Sequence, residues 1–498
     1  MHKFFSSIPC LNSINHLSRR SSWSRRVVLI HAFLLAFALG GMAQTRPAPQ
    51  TRPRPAAPVR TAPEPKKEIT IFVSKVLPNG LEVVVYEDHS VPLVTVEYTN
   101  KAGSFVETPA DSGYSHLMEH MFFRTNKAEK DQEEYVQHLG QLGISYNGTT
   151  REENCSEYMT ATSNNLATIV HVLRDAVRYP LFSLEDVNQE REVVIGEFDR
   201  NLSNPYGALS KEMTRLMFSK YPNRKDPLGD PTVVRQATPE HLRTLWSKYW
   251  VPNNSVLIIT GDAKPADAFA LAEQFFGDWQ RAADPFVQSP PVQHPPLAKS
   301  TGAVLESPIA DVIVEIGWQG PSIGVDTTAT YAADIFDFIL RQPNSRFTKA
   351  MLDSGLATNV ALGYYTQRNV GPITALMVTS PAKARAAIKA LQNEIAHFTD
   401  PGYFSDQDLQ NAKTLLNAQQ LYEREKPSEY THTLGFWWAS TGTEYYKGYA
   451  DHMANVTRAD VRKYIENYIA GKPRVGIAML SPEAQQQLRL TATEVTGQ

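Results

Sequence analysis

Thr238-Pro-Glu-His-Leu-Arg-Thr-Leu-Trp-Ser-Lys-Tyr-Trp250 runs into the apolar segment Val256–Ile259. A second version of both comes 219 positions later: Thr457-Arg-Ala-Asp-Val-Arg-Lys-Tyr-Ile-Glu-Asn-Tyr-Ile469, then Val475–Leu480. The two align without a gap on Thr, Arg and Tyr. Each opens on a threonine able to cap a helix and ends in a short apolar strand. A helix–strand unit recurring at one offset predicts an internal duplication. The proline-rich stretch Pro285–Pro296 (PFVQSPPVQHPP) lies between the copies and marks their junction.

Outward from these units, the first half offers strand patterns at Ile69–Val76, Leu81–Glu87 and Pro92–Thr99. Pro78-Asn79-Gly80 turns the first into the second, so a meander is expected. Helical patterns follow at 111–123, 131–142, 163–178 and 183–202, with strands at Ile144–Thr149 and Glu157–Thr162. The second half gives strands at Val312–Gly317, Ala361–Tyr365 and Thr374–Thr379, and helices at Thr327–Leu340, Ala382–Phe398 and Asp406–Tyr422. The expected fold is α+β: two homologous domains, each a mainly antiparallel sheet covered by helices on one face. They should span 68–283 and 301–498, joined by a Pro-rich linker at 284–300. A length of 498 residues with 42% hydrophobic and 20% charged residues suits two such cores and excludes a disordered or fibrous chain.

The amino terminus is of another kind. Arg25-Arg26 precede an apolar run, Val27–Leu39, that ends in Gly40-Gly41-Met42-Ala43. Residues 1–43 therefore read as an export signal, either cleaved near Ala43 or retained as an anchor. Residues 44–67 are a Pro/Ala/Arg-rich tract without core-forming residues, expected to be a disordered, extended spacer. The expected location is periplasmic or otherwise extracytoplasmic, with membrane contact only if the first segment is kept. The whole chain carries 49 basic and 52 acidic residues, a net −3. Residues 68–498 alone hold 38 basic against 51 acidic, which disfavours nucleic acid as a partner. The only cysteines, Cys10 and Cys155, exclude a disulfide framework.

The chemistry-bearing segment is Asp111-Ser-Gly-Tyr-Ser-His116-Leu-Met-Glu119-His120-Met-Phe-Phe123, with Asp111 or Ser112 as the candidate cap. His116 and His120 stand one helical turn apart and can converge on one ion, while Glu119 reaches the same face. This is the inverted zinc motif H-x-x-E-H, in which the glutamate can take a proton from water. A surface helix end with two exposed histidines would share the spacing. A zinc hydrolase needs a third protein ligand. Ser183 and Asp186 form a candidate capping box for a helix carrying Glu190 and Glu197, seven apart on one face. On spacing alone these read first as solvated glutamates.

His116-x-x-Glu119-His120 followed by 76 residues and then Glu197 resembles the pitrilysin, insulin-degrading enzyme and mitochondrial processing peptidase family of zinc peptidases. Leu77-Pro-Asn-Gly-Leu81 resembles that family's opening hairpin, and Gly103-Ser104…Glu107…Gly113 its approach to the metal helix. Gly143-Ile-Ser-Tyr-Asn147-Gly148-Thr149-Thr150 is similar to the strand along its substrate cleft. Gly317-Trp-Gln-Gly-Pro321 and Asn344-Ser345-Arg346-Phe347 resemble its second domain. The resemblance implies one Zn²⁺ per chain on His116, His120 and Glu197, with Glu119 as general base and Glu190 as an auxiliary catalytic carboxylate. It implies hydrolysis of unstructured peptides that add as a strand to a sheet edge, with Asn147 and Arg346 as substrate contacts. It also implies a dimer, in which a second two-domain chain, the same or a metal-free homologue, completes a chamber. The tyrosine that accompanies such an arginine in the family is Thr358 here, so Tyr364 or Tyr365 replaces it or the function lies on the partner. The competing expectation is a non-catalytic partner or peptide-binding subunit. Trp437-Trp438 and Tyr445-Tyr446 read as packing rather than as a peptide box.

Overall fold

The structure, a computed structural model, describes residues 72–497. Strands β1 (Val73–Val76), β2 (Glu82–Glu87), β3 (Leu93–Asn100), β4 (Ser145–Thr150), β5 (Cys155–Thr162) and β6 (Ser255–Gly261) form a six-stranded sheet ordered β1-β2-β6-β3-β5-β4. Strands β7 (Thr301–Glu306), β8 (Val312–Gln319), β9 (Asn359–Tyr364), β10 (Pro372–Thr379) and β11 (Val475–Leu480) form a five-stranded sheet ordered β7-β11-β8-β10-β9. With β1 set aside, the two orders correspond strand for strand. Each has its parallel pair in the same place, β2 with β6 and β7 with β11. β6 and β11 carry the apolar runs of the repeat, Val256 facing Glu82 and Val475 facing Thr301. The fold is thus α+β with two homologous, mainly antiparallel sheets.

The expected meander forms only in its first turn. β1 and β2 pair antiparallel across a turn in which Gly80 N donates to Leu77 O at 2.8 Å. Gly80 has φ 94°, a conformation a side chain would oppose. β3 does not pair with β2, because β6 returns from the far end of the half and enters between them. Apolar alternation marks a strand but not its neighbour. β7 had no counterpart in the sequence expectations; none of its residues is fully buried, so it lacks the apolar signature of its neighbours.

The principal helices are α1 (Tyr114–Met121), α2 (Gln132–Gln141), α3 (Leu166–Arg178), α4 (Leu184–Ser203), α5 (Pro205–Met217), α6 (Pro239–Tyr249) and α7 (Pro265–Phe276) in the first half. The second half has α8 (Thr327–Leu340), α9 (Ala384–His397), α10 (Asp406–Glu423), α11 (Pro427–Ser440) and α12 (Arg458–Tyr468). Val83, Val85, Leu257 and Ile259 point to one face of the first sheet and share a core with Ile169 and Leu173 of α3 and Ala268 and Phe276 of α7. Val84, Val256 and Ile258 point the other way and meet Tyr430, Leu434 and Trp438 of α11, a helix of the other half. The exchange is reciprocal. Leu209, Met213 and Met217 of α5 pack on Ile313, Val475, Ile477 and Met479 of the second sheet. Each sheet therefore has one face covered by its own helices and the other by a helix lent across the chain. Each aliphatic side chain buried there contributes roughly 1.5–3 kcal/mol, which binds the halves into one compact unit.

Polar contacts add to this junction. Trp438 Nε1 donates to Glu82 Oε2 at 2.8 Å, so this tryptophan is interdomain packing. Lys225, buried, donates to Gln367 Oε1, Asn369 O and Val370 O across the halves. Glu153 accepts from Arg368 N at 2.7 Å and Asn369 N at 3.0 Å. The Pro-rich stretch is laid along this seam: Gln319 Nε2 donates to Pro295 O at 3.1 Å and the ring of His294 meets Phe218. The expected export signal (1–43) and spacer (44–67) lie outside the described residues. Among the described residues no helix is long and apolar enough to cross a membrane.

Candidate metal centre

α1 buries Tyr114, Leu117, Met118 and Met121, and this leaves His116, Glu119 and His120 on its partly open side. Its start is not capped as expected. Asp111 is engaged by Thr108, whose Oγ1 donates to Oδ1 at 2.7 Å, and Gly113 takes the N-cap place with φ 97°. The carboxylate of Glu107, fully buried, accepts instead from Gly113 N at 2.8 Å and Ser115 N at 2.7 Å. It satisfies free N–H groups where α1 begins. Burial pushes its pKa up to about 8 against the pull of those N–H groups.

α4 packs against α1 through an apolar side that includes Val187, Val194 and Phe198. Ser183 caps it, accepting from Asp186 N at 3.0 Å. The expected reciprocal box is incomplete, because the Asp186 carboxylate is occupied by the hydroxyls of Ser183 and Thr125. Glu190 and Glu197 face α1. Glu197 Oε2 lies 3.4 Å from His116 Nε2 and 3.7 Å from His120 Nε2, and the three ligand atoms all fall within 4.8 Å of one another. Bonds of about 2.1 Å to a tetrahedral zinc place ligand atoms roughly 3.4 Å apart, so two imidazoles and a carboxylate in these positions fit that ion.

Glu190 lies behind the group. Its Oε2 is 2.7 Å from His120 Nδ1, and its Oε1 is paired with Arg124, both side chains being nearly buried. This contact fixes a proton on Nδ1 and leaves Nε2 as the nitrogen turned toward Glu197. Arg124 also donates to Gln189 Oε1 at 2.9 Å. Three carboxylates, Glu119, Glu190 and Glu197, stand around the two imidazoles, with Arg124 on Glu190 and Arg200 3.3 Å from Glu197. Burial would lower the pKa of His120, yet the hydrogen bond to Glu190 and the nearby Glu197 and Glu119 carboxylates raise it to about 10. Burial would raise Glu197, but the imidazoles of His116 and His120 beside it hold it well below the usual carboxylate range. His116 Nδ1 is buried with no hydrogen-bond partner among the described residues.

Glu119 rests on β4. Thr150 Oγ1 donates to Glu119 Oε2 at 2.7 Å, and Gly148 leaves the room its side chain occupies. β4 is an edge strand, paired only with β5 among the described residues. Asn147 sits on this edge strand, exposed, its Oδ1 accepting from Gly148 N at 3.0 Å. Arg346 is not brought to the metal group. It pairs with Glu394 at 3.2 Å and Asp400 at 3.7 Å and lies over the Tyr403 ring, at a cleft of about 610 Å³ in the second half. Tyr364 is buried with its hydroxyl on Pro321 O, and Tyr365 stacks on Phe436, so neither is seen beside Arg346. The roles of Arg124 and Thr150 have no local signature in the sequence, because the carboxylates they hold, Glu190 and Glu119, lie 66 and 31 positions away.

Residues 82–231, which contain all five site residues of the H-x-x-E-H and glutamate motif, match the family model described as Insulinase (Peptidase family M16). Residues 236–416 match the one described as Peptidase M16 inactive domain. The chain belongs to the pitrilysin/insulinase family. Among similar proteins, an uncharacterized zinc protease of Rickettsia felis is 24% identical over 374 residues, 74% of this chain and 87% of the relative. Two solved structures share the fold. A protease from Helicobacter pylori superposes with a TM-score of 0.75 at 18% identity, over 82% of this chain and 99% of that one. A peptidase M16 inactive domain from Pseudomonas fluorescens gives 0.71 at 16% identity, over 82% and 98%.

Proposed function

We propose that this M16 member is an active zinc-dependent endopeptidase or oligopeptidase that hydrolyses unfolded peptides. The observation that carries this is the convergence of His116 Nε2, His120 Nε2 and Glu197 Oε2 on one point, with Glu119 on the same helix face. His116, His120 and Glu197 would hold one Zn²⁺, which supplies Lewis acidity for the scissile carbonyl and acidifies a water. Glu119 would take the proton of the attacking water and give it to the leaving amine. The free edge of β4 receives the peptide backbone as an added strand, and this favours extended, unfolded substrates. Glu190 orients His120 and does not touch the reacting atoms. The amino-terminal signal pattern supports action outside the cytoplasm, and a second two-domain chain would close the cleft into a chamber.

A second reading is a non-catalytic, peptide-binding subunit. It draws on the match of the second half to the inactive domain and on the internal pairing of Arg346. Incubating the zinc-loaded chain with a mixture of unstructured peptides and sequencing the products by mass spectrometry separates the two. New termini inside the peptides are expected. Intact peptides beside stoichiometric zinc would favour the second reading.

A further inference from the structure

The geometry points to Thr150 as a positioning residue for Glu119, with Gly148 shaping the space in which Glu119 is held. This rests on the reading of Glu119 as the general base and adds to it how that base is aimed. A glutamate on an open helix face has three side-chain torsions to settle, and a base must be aligned before reaction to be efficient. Thr150 supplies the constraint. Its hydroxyl carries one proton and has three acceptors within reach, Glu119 Oε2 at 2.7 Å, Ser115 O at 3.4 Å and the weaker Cys155 Sγ at 3.6 Å. The shorter, charge-assisted contact takes the proton. That engages Oε2 and leaves Oε1 as the oxygen available for proton transfer.

Gly148 shares the strand face of Thr150, two residues away. A Cβ on it would stand 2.5 Å from Glu119 Cγ and 2.8 Å from Oε1, closer than any real contact. The carboxylate therefore lies flat against a strand that has been cleared for it. Thr150 is itself seated: its cross-strand partner Cys155 is fully buried, with Sγ 3.8 Å from Ser115 O, one turn before Glu119 on α1. Helix and strand are tied together where the base stands. Because β4 is also the free edge, the same strand that would receive a peptide holds the base.

Thr150→Val keeps the branched shape and removes only the hydroxyl; Thr150→Ser keeps the hydroxyl, and Thr150→Ala substitutes if valine fails to fold. In the zinc-loaded full chain, Thr150→Val should lower kcat by about 10- to 100-fold, part of what a general base supplies, with KM and zinc stoichiometry unchanged. Thr150→Ser should restore kcat to within about threefold, which a role in packing alone would not produce. Crystal structures give a readout independent of turnover: Glu119 should leave its place beside Gly148 in Thr150→Val and keep it in Thr150→Ser. Unchanged kcat in Thr150→Val, or a loss that serine does not restore, overturns the inference. Should the wild type itself cleave nothing, the functional reading falls. The crystal structures then still decide: an undisplaced Glu119 in Thr150→Val overturns the positioning role.

Discussion

Replacing Glu190 by glutamine changes one oxygen into an amide and leaves the shape intact. The carboxylate now accepts on both sides, from His120 Nδ1 at 2.7 Å and from Arg124. An amide can satisfy only one of them. With its oxygen toward His120, its NH₂ faces a guanidinium whose side chain is 9% exposed; with its oxygen toward Arg124, its NH₂ faces the Nδ1 proton of His120. Either way a buried donor is orphaned. Breaking a buried charged pair from one side costs about 3–5 kcal/mol, a large share of the roughly 5–15 kcal/mol that holds a protein folded. Zinc affinity should fall too, by about 10- to 100-fold, because His120 loses its fixed orientation. Urea unfolding of the metal-free protein and zinc competition against a chelator report the two effects separately. Because Glu190 does not touch the substrate in this account, KM should not move. Zinc affinity within twofold of wild type, with an unchanged urea midpoint, would refute the reasoning.

Two further substitutions test the frame around the site. Glu315 of β8 is nearly buried, and burial alone pushes its pKa up to about 7. The native state therefore binds this proton before the unfolded chain does, so its stabilising share is full below about pH 4.5 and is lost as pH rises through about 7. Glu315→Gln should flatten that slope and raise stability at pH 8 by about 2 kcal/mol in urea melts at pH 5 and pH 8; parallel pH profiles in both proteins would contradict it. Lys225→Met removes the cation that grips Gln367, Asn369 O and Val370 O from the other half. It should cost about 2–4 kcal/mol and open the turn between β9 and β10 to proteolysis, and an unchanged digestion rate there would count against the clasp.

Much of this was legible in the sequence. A helix–strand unit repeated at one offset became two sheets of one topology, and β6 and β11, which carry the repeat, occupy matching places in them. His116, His120 and Glu197 meet because helical spacing sets the two histidines one turn apart and α4 lies alongside α1. What pattern could not carry was choice of partner. The periodicity of α5 and α11 marks an apolar side without saying that each packs on the other half's sheet. Asp111 has the chemistry of a cap, but Thr108 holds it and Glu107 serves the helix instead. Arg124 and Thr150 gain their roles from groups 66 and 31 residues away, a contact no local spacing encodes. Arg346, expected at the substrate, finds two acids nearer at hand.

The central claim is that Glu119, beside a zinc held by His116, His120 and Glu197, makes this chain a working peptidase. Zinc content and cleavage of unstructured peptides, measured side by side for the wild type and Glu119→Gln, test it most directly. The account predicts one zinc per chain in both proteins and cleavage by the wild type alone. Equal cleavage by both, or a wild type that binds no zinc, would contradict it.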